Sequence, residues 1–338
     1  MFLIQSNCND KSTNDVLDWF FFFGIKEEEL HRLNDAIIIN NLTYKLSNKD
    51  GEVININNDD FKIQNTQSFW YRRGGFSFTR SLLNTDSSFL QQLAQGISDN
   101  LYREQKYIDN SIYTTLNKNC YINTFQQNFT NKITNLTFAV KSELQVPDVL
   151  VTNDFTQVIY FSALYKKIIT KDIEMNEINA AYDDNYNFII GAGVQILTNE
   201  GVVEISKKYQ NRSIAKFAFY QQYIEKKYEL RIFYLKGKFY TMAIFSQANE
   251  KTKIDFRNYD TERPNRCVPY QLPKEIEEKL HHFMQSIDLN CGSIDMIYTP
   301  EKEYVFLEVN PVGQFQWLSK NCNYDIEREI ALELIKEI

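Results

Sequence analysis

Two apolar runs near the C-terminus, residues 292–298 and 304–309, are separated by the turn-forming stretch Thr299-Pro300-Glu301-Lys302-Glu303. Such a pair closes as an antiparallel hairpin, and no other stretch constrains the fold as tightly. Side chains alternate along a strand, so Phe306, Glu308 and Asn310 are expected on one face. A loop of this length sets Asp295 roughly opposite Glu308. Charge in so apolar a segment is costly unless it is paired or metal-bound. Two carboxylates and an amide oxygen are hard donors that suit Mg²⁺ retaining some waters and taking its other ligands from phosphates; they do not suit zinc. The same residues also fit the wet face of a half-exposed hairpin, and the triad alone does not choose between these.

Upstream, residues 220–247 read as a strand, a charged turn and two further strands joined at Lys236-Gly237-Lys238, followed by a helix over 274–287. Glu229 and Arg231 fall on one face of a strand there, a pattern that serves an ion pair as well as a binding cleft. The N-terminal part opens with a short buried strand over 2–5. A helix follows over 16–23, opened by Ser12-Thr13-Asn14-Asp15 and closed by Gly24. Strands are expected over 35–40 and 42–46, an amphipathic helix over 82–107, a helix over 131–144, a strand over 149–152 and a closing amphipathic helix over 324–338. Strands and helices thus alternate irregularly in an α/β (α+β) chain of 338 residues, enough for roughly two or three domains around a cleft. Arg72 and Arg73, beside Trp70 and Tyr71, make either a small anionic site or an exposed basic turn. Gly191 and Gly193 fit a phosphate-closing loop or a strand bulge.

Composition removes several function classes. A net charge of −7 leaves no global footprint for nucleic acid. The five cysteines are scattered, with no C-x-x-C pair, which argues against zinc and for buried thiols in a reducing cytoplasm. With three histidines, two of them adjacent in a predicted helix, a histidine-based triad is poorly supplied. The start MFLIQSNCND lacks the basic lead-in of a secretory signal, and the apolar run at 19–23 is far short of a membrane span.

Asp295, followed by FLEVNPVGQFQWL from Phe306 to Leu318, resembles the C-terminal signature of ATP-grasp ligases. The likeness is closest to the graspetide ligases, the microviridin-type peptide macrocyclases, including the grasp-with-spasm branch. The WYRR run at 70–73 and Ser246-Gln247 resemble segments of the same family. The resemblance implies an ATP-grasp fold with an N-terminal pre-ATP-grasp domain over 1–115, a central domain over 116–219 and a C-terminal domain over 220–338, enclosing an ATP cleft. It implies ATP and Mg²⁺ as cofactors, with Asp295, Glu308 and Asn310 holding the metal. Lys132 and Lys171 are implied as nucleotide contacts, although Asp172 stands where the family usually has proline. Gln222, Tyr223 and Ile224 would meet adenine and Glu229 the ribose, while Arg231 and Arg257 would contact a phosphate or acyl phosphate; Arg266 is a weaker candidate. The implied reaction activates an Asp or Glu side chain of a ribosomally made precursor peptide as an acyl phosphate. A Ser, Thr or Lys side chain of that peptide then closes an ω-ester or ω-amide ring. The implied partners are the leader and core of that peptide, with no nucleic acid or membrane and with a homodimer left open. Two alternatives stand beside it: a ligase adding free amino acids to a protein or peptide, and a catalytically weakened peptide- or nucleotide-binding protein.

Overall fold

Phe2–Ser6 (β1) is buried at every residue, which a strand tolerates only where both faces of its sheet are covered. This is a computed structural model, and it describes residues 1–49, 51–57, 61–78, 87–173, 178–183, 186–190, 194–209, 217–249, 251–253 and 260–336. The chain divides into two units. One comprises Met1–Phe129, Leu289–Cys291 and Pro311–Ile338, the other Thr130–Asp288 and Gly292–Asn310.

In the first unit, β1 leads into Lys11–Phe22 (α1), which starts ahead of the expected opener Ser12-Thr13-Asn14-Asp15 with Asp10 as its N-cap; Asp10 Oδ1 accepts from the Ser12 backbone N at 3.1 Å. The chain continues through Leu30–Asn34 (β2), Ala36–Ile39 (β3), Leu42–Ser47 (β4), Gly51–Ile56 (β5), Phe61–Lys62 (β6), Ser68–Tyr71 (β7), Gly75–Phe78 (β8) and Ser88–Leu116 (α2). β1 lies between β2 and β7, parallel to both, β3 pairs in parallel with β8, and β4, β5 and β6 form an antiparallel meander. Leu3, Ile54, Phe69, Tyr113 and Leu116 form the core. Arg72 is not in an exposed turn: it is 4% exposed, its Nε lies 3.5 Å from Asp10 Oδ2, and its guanidinium lies over the Trp70 and Phe315 rings. The paired arginines of the sequence fit an exposed basic turn, but Arg72 directly follows the buried β7 and lies in the interior, where the Asp10 carboxylate meets it.

The second unit opens with Lys132–Lys141 (α3), capped by Asn131. Val149–Thr152 (β9), Phe155–Leu164 (α4), Lys167–Lys171 (β10), Ile178–Asp183 (β11), Tyr186–Ile190 (β12), Gln195–Thr198 (β13), Asn199–Tyr209 (α5) and Ala218–Gln222 (β14) follow. Here β13, β10, β14 and β9 form an antiparallel sheet in that order, and Val158, Ile168, Val202 and Tyr220 pack together in its core. Next come Tyr228–Leu235 (β15), Lys238–Phe245 (β16), Arg266–Pro269 (β17), Lys274–Ser286 (α6), Cys291–Tyr298 (β18) and Tyr304–Asn310 (β19). These strands make a second sheet in the order β17-β16-β15-β18-β19. Leu280, Phe283 and Met284 of α6 are buried, and Phe283 meets Phe306 of β19 edge-on at 4.8 Å between ring centroids.

The C-terminal segment then returns to the first unit as Gln316–Cys322 (α7) and Ile326–Ile335 (α8). This differs from the division expected at 115/116 and 219/220. Ile326, Ile330 and Leu334 give α8 an apolar stripe that packs against α1 and β7, so the tail belongs with the N-terminal strands. None of the five cysteines is in a disulfide, but only Cys291 and Cys322 are buried; Cys8 is exposed and the other two are half-buried. Among the described residues, no helix is long and apolar enough to cross a membrane.

Candidate active site

The site is built on the four-stranded and five-stranded sheets of the second unit. β18 and β19 pair antiparallel with Asp295 opposite Glu308, so the two carboxylates stand on facing strands. The pairing then slips: Met296 lies opposite Phe306, leaving Leu307 as the extra residue of a bulge. Strict alternation would put Phe306 beside Glu308, but the bulge turns Phe306 to α6 while Leu307 and Glu308 both line a cavity. Asn310, opposite Ser293, is exposed and does not line that cavity.

Two lysines from different elements reach Glu308. Lys132, the first residue of α3, places Nζ 3.4 Å from Glu308 Oε2, and Lys171, the last residue of β10, places Nζ 3.5 Å from the same oxygen. The Lys171 ammonium also lies over the Phe219 ring at 5.4 Å. Arg231 of β15 donates from Nη1 to both oxygens of Asp295 at 2.8 Å. All five of these charged side chains are less than one third exposed, so their attraction is weakly screened by water.

Beside these pairs, the cavity encloses about 100 Å³ and is lined by Ile169, Lys171, Gln221, Tyr223, Ile224, Glu229, Asp295 and Glu308 among others. Of the residues expected at adenine, Tyr223 and Ile224 line the cavity, whereas Gln222 does not and its neighbour Gln221 does. On β14 alternate residues face opposite sides; Gln221 turns to the cavity, while Gln222 pairs with Asp148, through its backbone N to Asp148 O at 2.8 Å and through its side chain to Asp148 N at 3.3 Å. Glu229 is 7% exposed and its Oε1 accepts from Lys226, itself 8% exposed. Burial pushes the Glu229 carboxyl above the usual carboxylate range, against the Lys226 ammonium, which pulls it down. Lys226 went unnoticed in the sequence because it sits in the run Glu225-Lys226-Lys227, which reads as a solvated turn. Arg257, Gly191 and Gly193 lie outside the described residues. Arg266 is exposed on β17, with its guanidinium over the Phe245 ring.

Four cations, Lys132, Lys171, Lys226 and Arg231, therefore converge with three carboxylates, Glu229, Asp295 and Glu308, on one cavity and its rim. Such an array is nearly neutral by itself and can exchange partners: phosphate oxygens suit the lysines and the guanidinium, and a divalent cation suits the carboxylates. Among the described residues, no three His, Cys, Asp or Glu side chains form a metal-holding group. The two carboxylates of Asp295 and Glu308 at the cavity fit Mg²⁺, which is commonly held by one or two carboxylates plus substrate phosphates rather than by an all-protein cage.

No protein-family model matches the chain, and no curated protein sequence matches it. Solved structures do. A RiPP-associated ATP-grasp ligase of Chryseobacterium gregarium, solved in complex with ADP and a leader and core peptide, matches with a TM-score of 0.75 at 22% identity, over 100% of this chain and 97% of that one. The macrocyclase MdnC of Microcystis aeruginosa MRC, bound with precursor peptide MdnA, matches with a TM-score of 0.71 at 24% identity, over 100% of both chains. The ATP-grasp ligase PsnB, complexed with minimal precursor, Mg and ADP, matches with a TM-score of 0.72 at 15% identity, over 99% of this chain and 96% of that one. The likeness is one of fold: the chain has the ATP-grasp fold.

Proposed function

We propose that this ATP-grasp fold is put to use as an ATP-dependent carboxylate ligase of the graspetide type, closing rings in a ribosomally made precursor peptide. The observation that carries it is the meeting of Lys132 and Lys171 at Glu308 beside the Arg231–Asp295 pair, all at one cavity. A nucleotide with three phosphates needs cations that can leave their resting partners, and a phosphoryl transfer is catalysed chiefly by position and charge neutralisation. The site has those groups and no histidine among its lining residues.

In this reading the base edge meets Gln221, Tyr223 and Ile224 at the cavity, and Glu229, hydrogen-bonded by Lys226, accepts from sugar hydroxyls. Lys132 and Lys171 bind phosphate oxygens as point charges. Arg231 holds a phosphate or the carboxyl group being activated, for which its planar fork of donors is suited. Asp295 and Glu308, with Asn310, would hold Mg²⁺, which supplies charge neutralisation on the phosphates. The peptide's Asp or Glu carboxylate displaces ADP at the terminal phosphorus to give an acyl phosphate. A Ser, Thr or Lys side chain of the same peptide then attacks that carbonyl and phosphate leaves. All three similar solved structures hold a precursor peptide and two of them also hold ADP, which supports this choice of substrate class.

The test is to incubate the purified protein with Mg²⁺, ATP and a short peptide rich in Thr/Ser and Glu/Asp encoded beside its gene. Mass spectrometry should record a loss of about 18 Da for each ring closed by condensation. An unchanged peptide mass alongside ATP consumption would remove macrocyclisation and leave addition of a free amino acid or another acceptor.

A further inference from the structure

The first unit contains a second polar cavity that the ligase reading leaves unused. It measures about 400 Å³ and lies between α1 and the α7–α8 segment, where Asp15, Asp18, Trp19, Lys320, Asp325 and Glu327 line it. Asp15, Asp18, Trp19 and Phe22 are spaced i, i+3, i+4 and i+7, so they share one face of α1. Asp15 is already engaged: Gln316 donates to it, and Lys320 Nζ lies 3.4 Å away. Lys320 also acts on Glu327, so one ammonium faces the four carboxylates of Asp15, Asp18, Asp325 and Glu327.

Glu327 is the informative member. It is 7% exposed, its Oε2 accepts from Ser319 Oγ at 2.6 Å, and its Oε1 is buried with no hydrogen-bond partner. A buried carboxylate oxygen without a donor costs free energy that a cationic ligand would recover. Burial pushes the Glu327 carboxyl up, and the Ser319 hydrogen bond opposes this only in part. The wall of the cavity carries the Trp19 ring, which suits an organic cation. Trp19 packs edge-on against Phe22 at 5.2 Å and stacks with Phe23 at 5.8 Å between centroids, and Phe22 is 75% exposed. An acidic cavity thus adjoins an uncovered aromatic ledge on the same helix face.

From this geometry we infer that the cavity between α1 and α7–α8 is a docking site for a peptide that inserts an Arg or Lys side chain among Asp18, Asp325 and Glu327 and lays an adjoining apolar residue on Trp19 and Phe22. The charge complementarity selects a basic side chain, and the ledge selects its apolar neighbour. The site is separate from the nucleotide chemistry and does not depend on it.

The experiment titrates full-length protein with N-acetyl-Arg-Leu-amide and with the citrulline isostere, which keeps the shape and loses the charge, using calorimetry. The arginine peptide should bind saturably and the citrulline peptide at least about tenfold more weakly, the scale of one charge-assisted hydrogen bond. Asp18→Asn and Glu327→Gln should each reduce the arginine preference. Because Glu327 is buried, exposed Asp18 supplies the arm independent of stability, and Trp19→Leu should weaken both peptides together. Equal affinity for the two peptides would overturn the inference. So would an arginine preference that survives Asp18→Asn and Glu327→Gln, or association of two protein copies that the arginine peptide does not displace.

Discussion

Glu308 is held by two ammonium groups that arrive from a helix start and a strand end, and that shared oxygen sets the expectation for each lysine. If both reach phosphates, Lys171→Met should weaken ATP binding in calorimetry and lower turnover more than Lys132→Met, because Lys171 lines the cavity and Lys132 does not. Unchanged affinity in both variants would detach the nucleotide from this corner. Asp10 offers a residue-scale test of stability. Burial alone would push its carboxyl up, yet the buried Arg72 guanidinium and the Thr13 and Ser6 hydroxyls outweigh that and hold it below the usual carboxylate range. A depressed carboxyl stabilises the folded state above its unfolded pKa, and that stabilisation is lost as pH falls through the folded value. Asp10→Asn should therefore cost roughly 3 kcal/mol near neutrality, since it strands a buried charge. The gap from wild type should narrow as the pH drops below about 3.9. Urea unfolding at pH 7 and pH 3 measures it, and a gap that widens in acid would refute the pairing.

At the scale of elements, the hairpin β18–β19 was legible because loop length and apolar pattern together set Asp295 against Glu308. The bulge at Leu307 was not, since nothing in Phe306-Leu307-Glu308-Val309 marks an inserted residue; the demand that Phe306 reach α6 while Glu308 stays at the cavity is a tertiary one. Gln221 in place of Gln222 has the same origin, as an apolar run does not declare which of its faces is covered. The turn between β7 and β8 is more sharply specified. Gly74 has φ +84°, and a Cβ there would lie 2.4 Å from Asp35 O. Gly74→Ala should cost roughly 2 kcal/mol or more through backbone strain and that clash, read as a lowered denaturation midpoint at unchanged slope; a neutral substitution would mean that the turn yields.

On the scale of the whole molecule, the α/β character and the order of elements were available from periodicity, but the grouping into units was not. The tail containing α7 and α8 follows the strand that bears Glu308, yet its apolar stripe is complementary to α1 and β7, which are nearly the full chain length away in sequence. Only packing reveals that closure. The tail's Gln316 and Glu327 consequently serve the first unit, while Asp295 and Glu308 serve the second. The central claim concerns the second unit: that its cation–carboxylate array transfers phosphate to a peptide carboxylate. Its most direct test is phosphate release with and without the precursor peptide, together with nucleotide titration, in wild type and Arg231→Ala. The account predicts peptide-dependent release that falls by roughly 10²-fold in the variant with only a modest loss of nucleotide affinity, because Arg231 meets charge that develops in the transition state. A wild-type protein that binds ATP but releases no phosphate with the precursor present would contradict it.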